Sequence, residues 1–401
     1  MPVVRLACTV NNYHWGKHGL ASKAAQFAAT NPGVAIDASQ TYAELWMGTH
    51  PSGPSTVYGT ETKLADLIDQ DPARLLSPAV ERKFGAQLPF LFKVLSIEKA
   101  LSIQAHPDKQ LATQLHAKYP SIYRDPNHKP EMSIALTDFI ALSGFRPLEQ
   151  ISGFLDEYPE FRALVAMTAG AFQQAVAENG DKRAALRALF AELMDADAHV
   201  QVERLLARTK ESADPLDTSA EALAHRLNKE YPGDIGIFCV FVLNVLRLRP
   251  GEAFYMGPND PHAYVFGDCV ECMATSDNVV RAGLTPKLRD VPVLTSMLTY
   301  EYGSPEGKLL APTRVGSHSV VYDPPIDEFA VVCTTLRASE EEQLASVQGP
   351  QILLVTQGCG VLVADGEHAL EPGFVYFISP GTPVALRAAS ALIAYTALCR
   401  A

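Results

Sequence analysis

The sequence predicts a mainly β protein with an α insertion, organised as two β units and one inserted helical domain. Short apolar runs separated by glycine and proline, typical of strands and turns, fill the first part of the chain and return after residue 249. Between them, residues 147–247 change to Ala-rich segments with apolar residues at helical spacing. In addition, the segment 250–262 matches 372–384 without a gap, which indicates two related β units.

Strands and loops are predicted for the first part of the chain. Residues 91–94 and 100–106 are short β-prone runs between turns. In the second run, period-two alternation places the apolar side chains on one face and the polar Ser102, Gln104 and His106 on the other. This segment therefore presents a polar face opposite a buried one.

The helical block is predicted from apolar stripes at helical spacing. The clearest stripe has apolar residues at i, i+3, i+4 and i+7: Leu186, Leu189, Phe190 and Leu193. Another stripe begins directly after Pro147, a residue suited to the first turn of a helix. We expect this block to cover one side of the functional cleft and to supply none of its metal ligands.

The last part of the chain is predicted to be a second β unit. Its apolar runs 352–356, 360–363 and 374–378 are separated by glycine and proline turns. The internal match ends on His262 in the first copy and on Val384 in the second. If the copies are related, the second has no metal ligand at this position. The alternative is that turn, strand and turn segments with proline and glycine are common without kinship.

These boundaries predict three domains. Residues 1–146 and 248–315 would form a catalytic domain, 147–247 the helical domain, and 316–401 a C-terminal domain without metal. A chain of 401 residues is long enough for two or three domains with cores of their own.

Composition and charge exclude several function classes. Hydrophobic residues make up 47% and charged residues 19%, as in folded globular domains. The net charge of −12 provides no basic field for nucleic acid or an anionic membrane, and the longest uncharged apolar stretch, 235–246, is too short to span a bilayer.

The N-terminus has no signal-like pattern, and the seven scattered cysteines, including Cys269 and Cys272, are expected to be reduced and structural. A cytoplasmic protein is therefore expected.

Four polar side chains from three β segments are candidate ligands for a divalent metal such as zinc. Gln104 and His106 share one face, Glu131 lies in a second segment, and His262 begins a third. Two imidazoles, a carboxylate and an amide oxygen suit a four-ligand site. Each could equally be an ordinary hydrogen-bonded residue. Five other histidines remain candidates on the same grounds: His14, His18, His50, His116 and His128.

A polar, loop-rich stretch in the returning β region carries Glu271, Arg281 and Lys287. Charges in or beside a cleft are costly without partners, so they favour recognition or catalysis, the alternative being a solvated loop with ordinary salt bridges. With Lys129 and Ser102, the two cations can supply the local anion site that the acidic chain lacks overall.

Several segments resemble the type I phosphomannose isomerases, also called mannose-6-phosphate isomerases. They are QAHPDKQLA, RDPNHKPEM, ALSGFRP, GDCVECMATSDNVVRAGLTPK, NNYHWG and ELWMGTHPSGPS. The resemblance extends over nearly the whole chain and is weaker in the helical block and in the last hundred residues. It implies two cupin-type jelly-roll units plus an inserted helical domain.

The resemblance also implies one zinc ion per chain and a set of site residues. The implied zinc ligands are Gln104, His106, Glu131 and His262. The implied substrate-binding residues are Ser102, Lys129 and Lys287. Arg281 matches the active-site arginine, which would stabilise developing negative charge, and Glu271 is the candidate base. A zinc-bound water or a hydroxyl shuttle stays open as the group that moves the proton.

The implied reaction interconverts D-mannose 6-phosphate and D-fructose 6-phosphate through an enediolate, in mannose metabolism and GDP-mannose biosynthesis. The sugar phosphate is the expected partner, and a monomer is expected. Removing a proton next to a carbonyl requires a base together with a metal or cation at the oxygen. Two other classes remain open. A sugar-phosphate binding or storage protein would bind without turnover, and a cupin oxygenase with iron usually has a more His-rich ligand set.

Overall fold

Strands dominate both ends of the chain and helices its middle, over residues 2–178 and 180–400, which the computed structural model describes. This is the predicted architecture, mainly β with an inserted helical domain, and that prediction is confirmed. The elements are given below in chain order.

The first part combines ten strands with five short helices. The strands are β1 (Val3–Ala7), β2 (Thr9–Asn11), β3 (Lys17–His18), β4 (Thr41–Tyr42), β5 (Glu44–Met47), β6 (Thr56–Val57), β7 (Phe90–Ile97), β8 (Ile103–Ala105), β9 (Glu131–Ala135) and β10 (Phe139–Phe145). The helices are α1 (Lys23–Ala28), α2 (Leu64–Gln70), α3 (Pro72–Leu75), α4 (Pro78–Phe84) and α5 (Lys109–Lys118). Side-chain caps start most of these helices: Asp108, for example, accepts a hydrogen bond from the backbone N–H of Leu111.

The helical insertion follows β10. Its helices are α6 (Leu148–Glu157), α7 (Pro159–Leu164), α8 (Ala169–Ala177), α9 (Lys182–Asp195), α10 (His199–Arg208) and α11 (Ala220–Glu230), followed by a 3-10 helix (Ile235–Phe241). The predicted stripe lies on α9 and is fully buried in the core of the insertion. The apolar spacing therefore marks the face that packs inward.

Strands return after the insertion. They are β11 (Leu243–Leu248), β12 (Ala253–Met256), β13 (His262–Ala274), β14 (Val280–Gly283), β15 (Thr313–Arg314), β16 (Ser319–Tyr322), β17 (Ala330–Leu336), β18 (Glu341–Leu344), β19 (Gln351–Gln357), β20 (Gly360–Val363), β21 (Glu367–Leu370), β22 (Val375–Ile378), β23 (Val384–Ala388) and β24 (Leu392–Leu398). Helix α12 (Val291–Met297) and a 3-10 helix (Pro305–Lys308) interrupt them.

The long strand β13 joins the two walls of the first β unit. Its beginning pairs with β8 and β10, and its second half pairs with β7 and β9. Between the halves, Gly267 has a φ of 114° and lies so close to Asp138 that a Cβ would come within 2.5 Å of its carbonyl oxygen. Glycine is needed at this bend because a side chain has no room there. The bend lets one strand contribute residues to both walls.

The second β unit consists of two sheets. An eight-stranded sheet has the order β15-β16-β17-β24-β19-β22-β1-β6, and a four-stranded sheet has the order β18-β23-β20-β21. Strand β1 thus belongs to the C-terminal sheet, where Val3 pairs with Ile378 and Leu6 with Val375. The three domain boundaries stay a prediction. Strand β1 does not follow them, because it lies within residues 1–146 of the predicted catalytic domain and pairs with a strand of the C-terminal unit.

The internal sequence match corresponds to equivalent positions in the two β units. Gly251 and Gly373 have φ values of 86° and 88°, in turns that lead to β12 and β22. The matched ends coincide as well, because β13 begins at His262 and β23 begins at Val384. This agreement supports two related units rather than a chance match of turns.

The cysteines and the helix lengths agree with the expectations of reduced thiols and of no membrane-spanning segment. All seven cysteines are free thiols, and Cys269 and Cys272 are buried in separate apolar clusters on either side of β13. Within the described ranges, no helix has the length and apolarity needed to cross a membrane.

Candidate active site and metal centre

Three of the predicted ligands meet in the first β unit. His106 follows β8, Glu131 begins β9 and His262 begins β13, and their ligand atoms all lie within 4.8 Å of one another. One carboxylate oxygen, Oε2 of Glu131, is 3.4 Å from Nε2 of His106 and 3.2 Å from Nε2 of His262. Each of the three residues is 1% exposed. The three side chains come together because β8 and β9 both pair with β13.

The chemistry of this cluster fits a divalent metal. Among the described residues, the three facing atoms are buried and have no hydrogen-bond partner, which is costly unless an ion binds them. The outer nitrogens are oriented by backbone carbonyls: Nδ1 of His106 lies 2.6 Å from the oxygen of Asn278, and Nδ1 of His262 lies 3.0 Å from that of Asp260. A proton on Nδ1 leaves the Nε2 lone pair free to coordinate.

Ionisation states support the same conclusion. Burial lowers the pKa of His106 to about 4, so its imidazole is neutral at pH 7, as a metal ligand must be. Although burial alone would raise the pKa of Glu131, the charge of Lys129 and contact with His106 hold it well below its usual range. The site therefore offers two imidazoles and one carboxylate.

Gln104, the fourth predicted ligand, lies beside this cluster. It pairs in register with His262 across β8 and β13, and it lines the adjoining cavity. Its coordination of a metal stays a prediction. The alternation predicted for this segment is observed at Ile103 and Ala105, which are buried in the core on the opposite face. It is wrong for Leu101, which was predicted on the buried face and lines the cavity beside Ser102.

A cavity of about 330 Å³ opens beside the cluster. It brings Glu131 together with every remaining predicted site residue: Ser102, Gln104, Lys129, Glu271, Arg281 and Lys287. A second cavity of about 590 Å³ shares Lys129, Arg281 and Lys287 with it. Volumes of this size are typical of small-molecule sites.

Two cations of the cavity are available to a ligand. Arg281 pairs with Gln104 in the sheet, and among the described carboxylates none forms an ion pair with Arg281 or with Lys287. Burial lowers the pKa of Arg281, and an arginine side chain nevertheless stays charged. Lys129 differs, because its ammonium lies 2.8 Å from Oε1 of Glu131. Arg281 and Lys287 thus place two positive charges beside the cavity, and the local anion site that the sequence predicted stays a prediction.

Glu271 is buried in a network that the sequence did not indicate. Its carboxylate accepts a hydrogen bond from Tyr264 at 2.6 Å and lies 3.0 Å from the ammonium of Lys93. Burial raises the pKa of Glu271, which makes the carboxylate a stronger base. The carboxylates of Glu271 and Glu44 raise the pKa of Lys93 despite its burial.

Lys93 and Tyr264 are the residues that sequence reasoning missed. Lys93 is the only charged residue of β7, whose eight residues are all buried. A lone lysine in an otherwise apolar strand was a usable signal, because a buried ammonium needs a carboxylate partner. Tyr264 had no comparable signal, since its contacts with Glu271 and Ser133 depend on strand register.

The end of the helical insertion holds two segments of the site. Ala100, two residues before Ser102, is held on both sides of its backbone. Its N–H donates to the carboxylate of Glu230, and its carbonyl accepts from the hydroxyl of Tyr231. The carboxylate of Asp234 accepts from the N–H groups of Leu284 and Thr285, in the segment that carries the two free cations. Tyr231 also lines the cavity, and the insertion supplies none of the three clustered ligands.

The competing histidines lie outside the cluster. His14 and His50 line the neighbouring cavities, and His18 is exposed. His116 contacts the carbonyl of Tyr123, and His128 pairs with Glu328.

Comparisons with known proteins show which family the chain resembles. Three domain families match along the chain: "Phosphomannose isomerase type I, catalytic domain" over residues 3–148, "helical insertion domain" over 164–243 and "C-terminal" over 319–367. A mannose-6-phosphate isomerase from Schizosaccharomyces pombe is 44% identical, covering 98% of this chain and 99% of that protein. One from Saccharomyces cerevisiae is also 44% identical, covering 96% and 95%.

A solved structure extends the comparison to three dimensions. The mannose 6-phosphate isomerase from Salmonella typhimurium, bound to its substrate and to zinc, superposes with a TM-score of 0.85 at 32% identity, covering 100% of both chains. Together with the sequence relatives, this match accounts for the fold and the inserted helices. The chain belongs to the type I phosphomannose isomerase family.

Proposed function

We propose that this protein interconverts D-mannose 6-phosphate and D-fructose 6-phosphate with the help of one zinc ion. The observation that supports this most directly is the set of three buried, unpartnered ligand atoms beside a cavity with two cations that no described carboxylate pairs. The names of the relatives supply the reaction, and the neighbour bound to substrate and zinc supports both components. A cytoplasmic location and a monomeric state stay predictions.

Zinc would be held by His106, Glu131 and His262, with Gln104 as the proposed fourth ligand. When bound, zinc supplies a Lewis acid that polarises oxygen atoms of the sugar. The protein orients the two imidazole ligands through the backbone carbonyls of Asn278 and Asp260. These contacts restrict both imidazole rings before any ion binds.

The remaining side chains would stabilise negative charge, bind the substrate and transfer the proton in an enediolate mechanism. Arg281 lines the cavity without a carboxylate partner among the described residues, so its charge is available to negative charge that develops on the substrate oxygens. Lys129, Lys287 and Ser102 bind the anionic substrate. Glu271 is the proposed base for the C2 proton, which it returns at C1.

Replacing Glu271 with glutamine tests the proposed base. We expect kcat to fall by roughly 10²- to 10⁴-fold, because an amide of the same shape cannot accept the proton. Zinc content should stay that of the wild type, since Glu271 is not in the ligand cluster. A coupled assay and metal analysis measure the two quantities. Glu301→Gln, at an exposed glutamate, is the matched control, and full activity in Glu271→Gln would assign the base to another group.

Chelation tests the reaction and its metal together. Turnover of mannose 6-phosphate by the purified chain is expected to disappear when a chelator removes the metal and to return when zinc is added. Metal loss should also destabilise the fold, because it leaves Oε2 of Glu131 and the Nε2 atoms of His106 and His262 buried without a partner among the described residues. A coupled assay and thermal unfolding follow the two effects.

Each other outcome contradicts a defined part of the proposal. A folded, zinc-loaded sample without turnover would favour a sugar-phosphate binding protein. Turnover that survives thorough chelation would retain the reaction and contradict the role of the metal.

A further inference from the structure

The C-terminal β unit contains a cavity of its own. It measures about 380 Å³ and lies on one face of the eight-stranded sheet, under β18 and the segment that follows it. Its walls include Val321, Val332 and Leu398 together with the buried polar residues Gln351 and Thr396. An apolar enclosure with a few polar groups is typical of a site for a small organic molecule.

Strand register shows that this cavity is the counterpart of the active-site cavity. In the first unit Met256 pairs with Glu131, and in the second unit the matched residue Ile378 pairs with Gln351. Gln351 therefore occupies the position of the metal-ligand candidate Glu131, and it lines the second cavity.

The same correspondence holds at a second ligand position. His262, the first residue of β13, pairs with Gln104, and the matched Val384, the first residue of β23, pairs with Leu344. Leu344 lines the second cavity, as Gln104 lines the first. Valine and leucine thus occupy positions that hold a histidine and a glutamine in the active site.

The positions of the buried charge network are also equivalent. Glu131 and Gln351 pair with Met273 and Leu398, so Glu271, two residues before Met273, corresponds to Thr396. Their cross-strand partners then correspond as well, because Glu271 pairs with Lys93 and Thr396 pairs with Val332. Threonine and valine have replaced a carboxylate and an ammonium.

These replacements change what the second cavity can bind. The metal-binding carboxylate is now an amide, and the ligand positions of His262 and Gln104 have become apolar. A sugar phosphate would lack the cations that the first cavity offers, and a divalent metal would lack a ligand cluster, since the described residues form only the one at His106. The two cavities are nevertheless similar in volume, at about 380 Å³ and about 330 Å³.

Among the described residues, one buried charge lines the second cavity. Glu342 is 6% exposed, and it occupies the position of Ser102, two residues before the counterpart of Gln104. Its carboxylate accepts a hydrogen bond from the N–H of His318 at 3.3 Å, and no described cation forms an ion pair with it. Arg400, at the rim, is paired with Asp323. Because one hydrogen bond is its only described contact of this kind, the carboxylate is available to a ligand that supplies a cation or a donor.

We propose that the C-terminal cavity binds a small organic amine, with its apolar body against Val321 and Val332 and its ammonium group against Glu342. The cavity has the same strand positions as the active-site cavity, and the residues at these positions are not metal ligands or a buried charge pair. Binding there is independent of the isomerase reaction, because no residue of the first cavity takes part.

A fluorescence titration of the full-length, zinc-loaded protein with 1-naphthylmethylamine tests this proposal. We expect saturable binding that excess fructose 6-phosphate does not displace. Glu342→Gln should weaken the affinity about tenfold or more, in keeping with the strength of hydrogen bonds to charged groups, and should leave turnover unchanged. The matched control is Glu341→Gln, which makes the same change in net charge at an exposed neighbour on β18 and should bind like the wild type.

A second ligand and a second variant complete the test. Naphthalene-1-sulfonate has the same apolar body with an anionic head and should bind far more weakly than the amine. Val321→Phe should fill the cavity and abolish binding, and it decides the question if Glu342→Gln does not fold. The proposal is overturned if fructose 6-phosphate displaces the amine, if the sulfonate binds equally well, or if folded Glu342→Gln or folded Val321→Phe retains wild-type affinity.

Discussion

Replacing His262 with alanine is expected to remove bound zinc and isomerase activity together. His262 provides one of the three ligand atoms in the buried cluster, and its Nε2 lies 3.2 Å from the carboxylate of Glu131. Without it the ion loses an imidazole, and Glu131 keeps a buried charge with fewer partners. Because a catalytic metal contributes several kcal/mol to transition-state stabilisation, kcat/KM should fall by roughly 10³-fold or more. Elemental analysis and a coupled assay measure both losses.

The control for this variant is His18→Ala, at an exposed histidine outside the cluster. It should retain zinc and activity. Activity that survives in His262→Ala would show that the ligand set is wrong. Loss of folding alone is distinguished by the circular dichroism of the purified variant.

Replacing Arg281 with alanine is expected to lower turnover while leaving zinc in place. Arg281 lines both site cavities and has no carboxylate partner among the described residues, so its charge is free to act on the substrate. Removing one preorganised charge that stabilises a developing oxyanion typically lowers kcat by roughly 10²- to 10³-fold. The coupled assay gives kcat and KM, and metal analysis gives the zinc content.

Arg281→Lys separates charge from geometry. Lysine keeps the positive charge without the planar fork of donors, so we expect activity between those of the wild type and Arg281→Ala. Loss of zinc from either variant would contradict a role in catalysis and indicate that Arg281 supports the structure of the site through its pairing with Gln104.

Much of the architecture could be predicted from local patterns. The stripe on α9 and the alternation around Gln104 each mark a buried face within one element, and the structure contains both as predicted. The family and the class of enzyme, an aldose–ketose isomerase, are confirmed by relatives at 44% identity. The residue types of the ligand cluster were visible as well, although only the family resemblance distinguished His106 and His262 among the eleven histidines.

The rest depends on contacts between distant segments. The network of Lys93, Tyr264 and Glu271 forms because β13 pairs with β7 and bends at Gly267, and neither fact follows from the spacing of residues. The equivalence of Glu131 and Gln351 could not be predicted either, because it follows from the pairing of strands and not from matching sequence.

The position of strand β1 sets an order of events during synthesis. Its residues Val3–Leu6 pair with Val375–Ile378, so β1 gains this neighbour only after every element between it and β22 has been synthesised. Until then β1 has an unpaired edge and apolar side chains that are prone to association with other chains. Closure of the eight-stranded sheet therefore waits for the synthesis of β22 and β24. A chain that terminates before them would keep an open edge on β1, which makes it a ready substrate for chaperones and proteases.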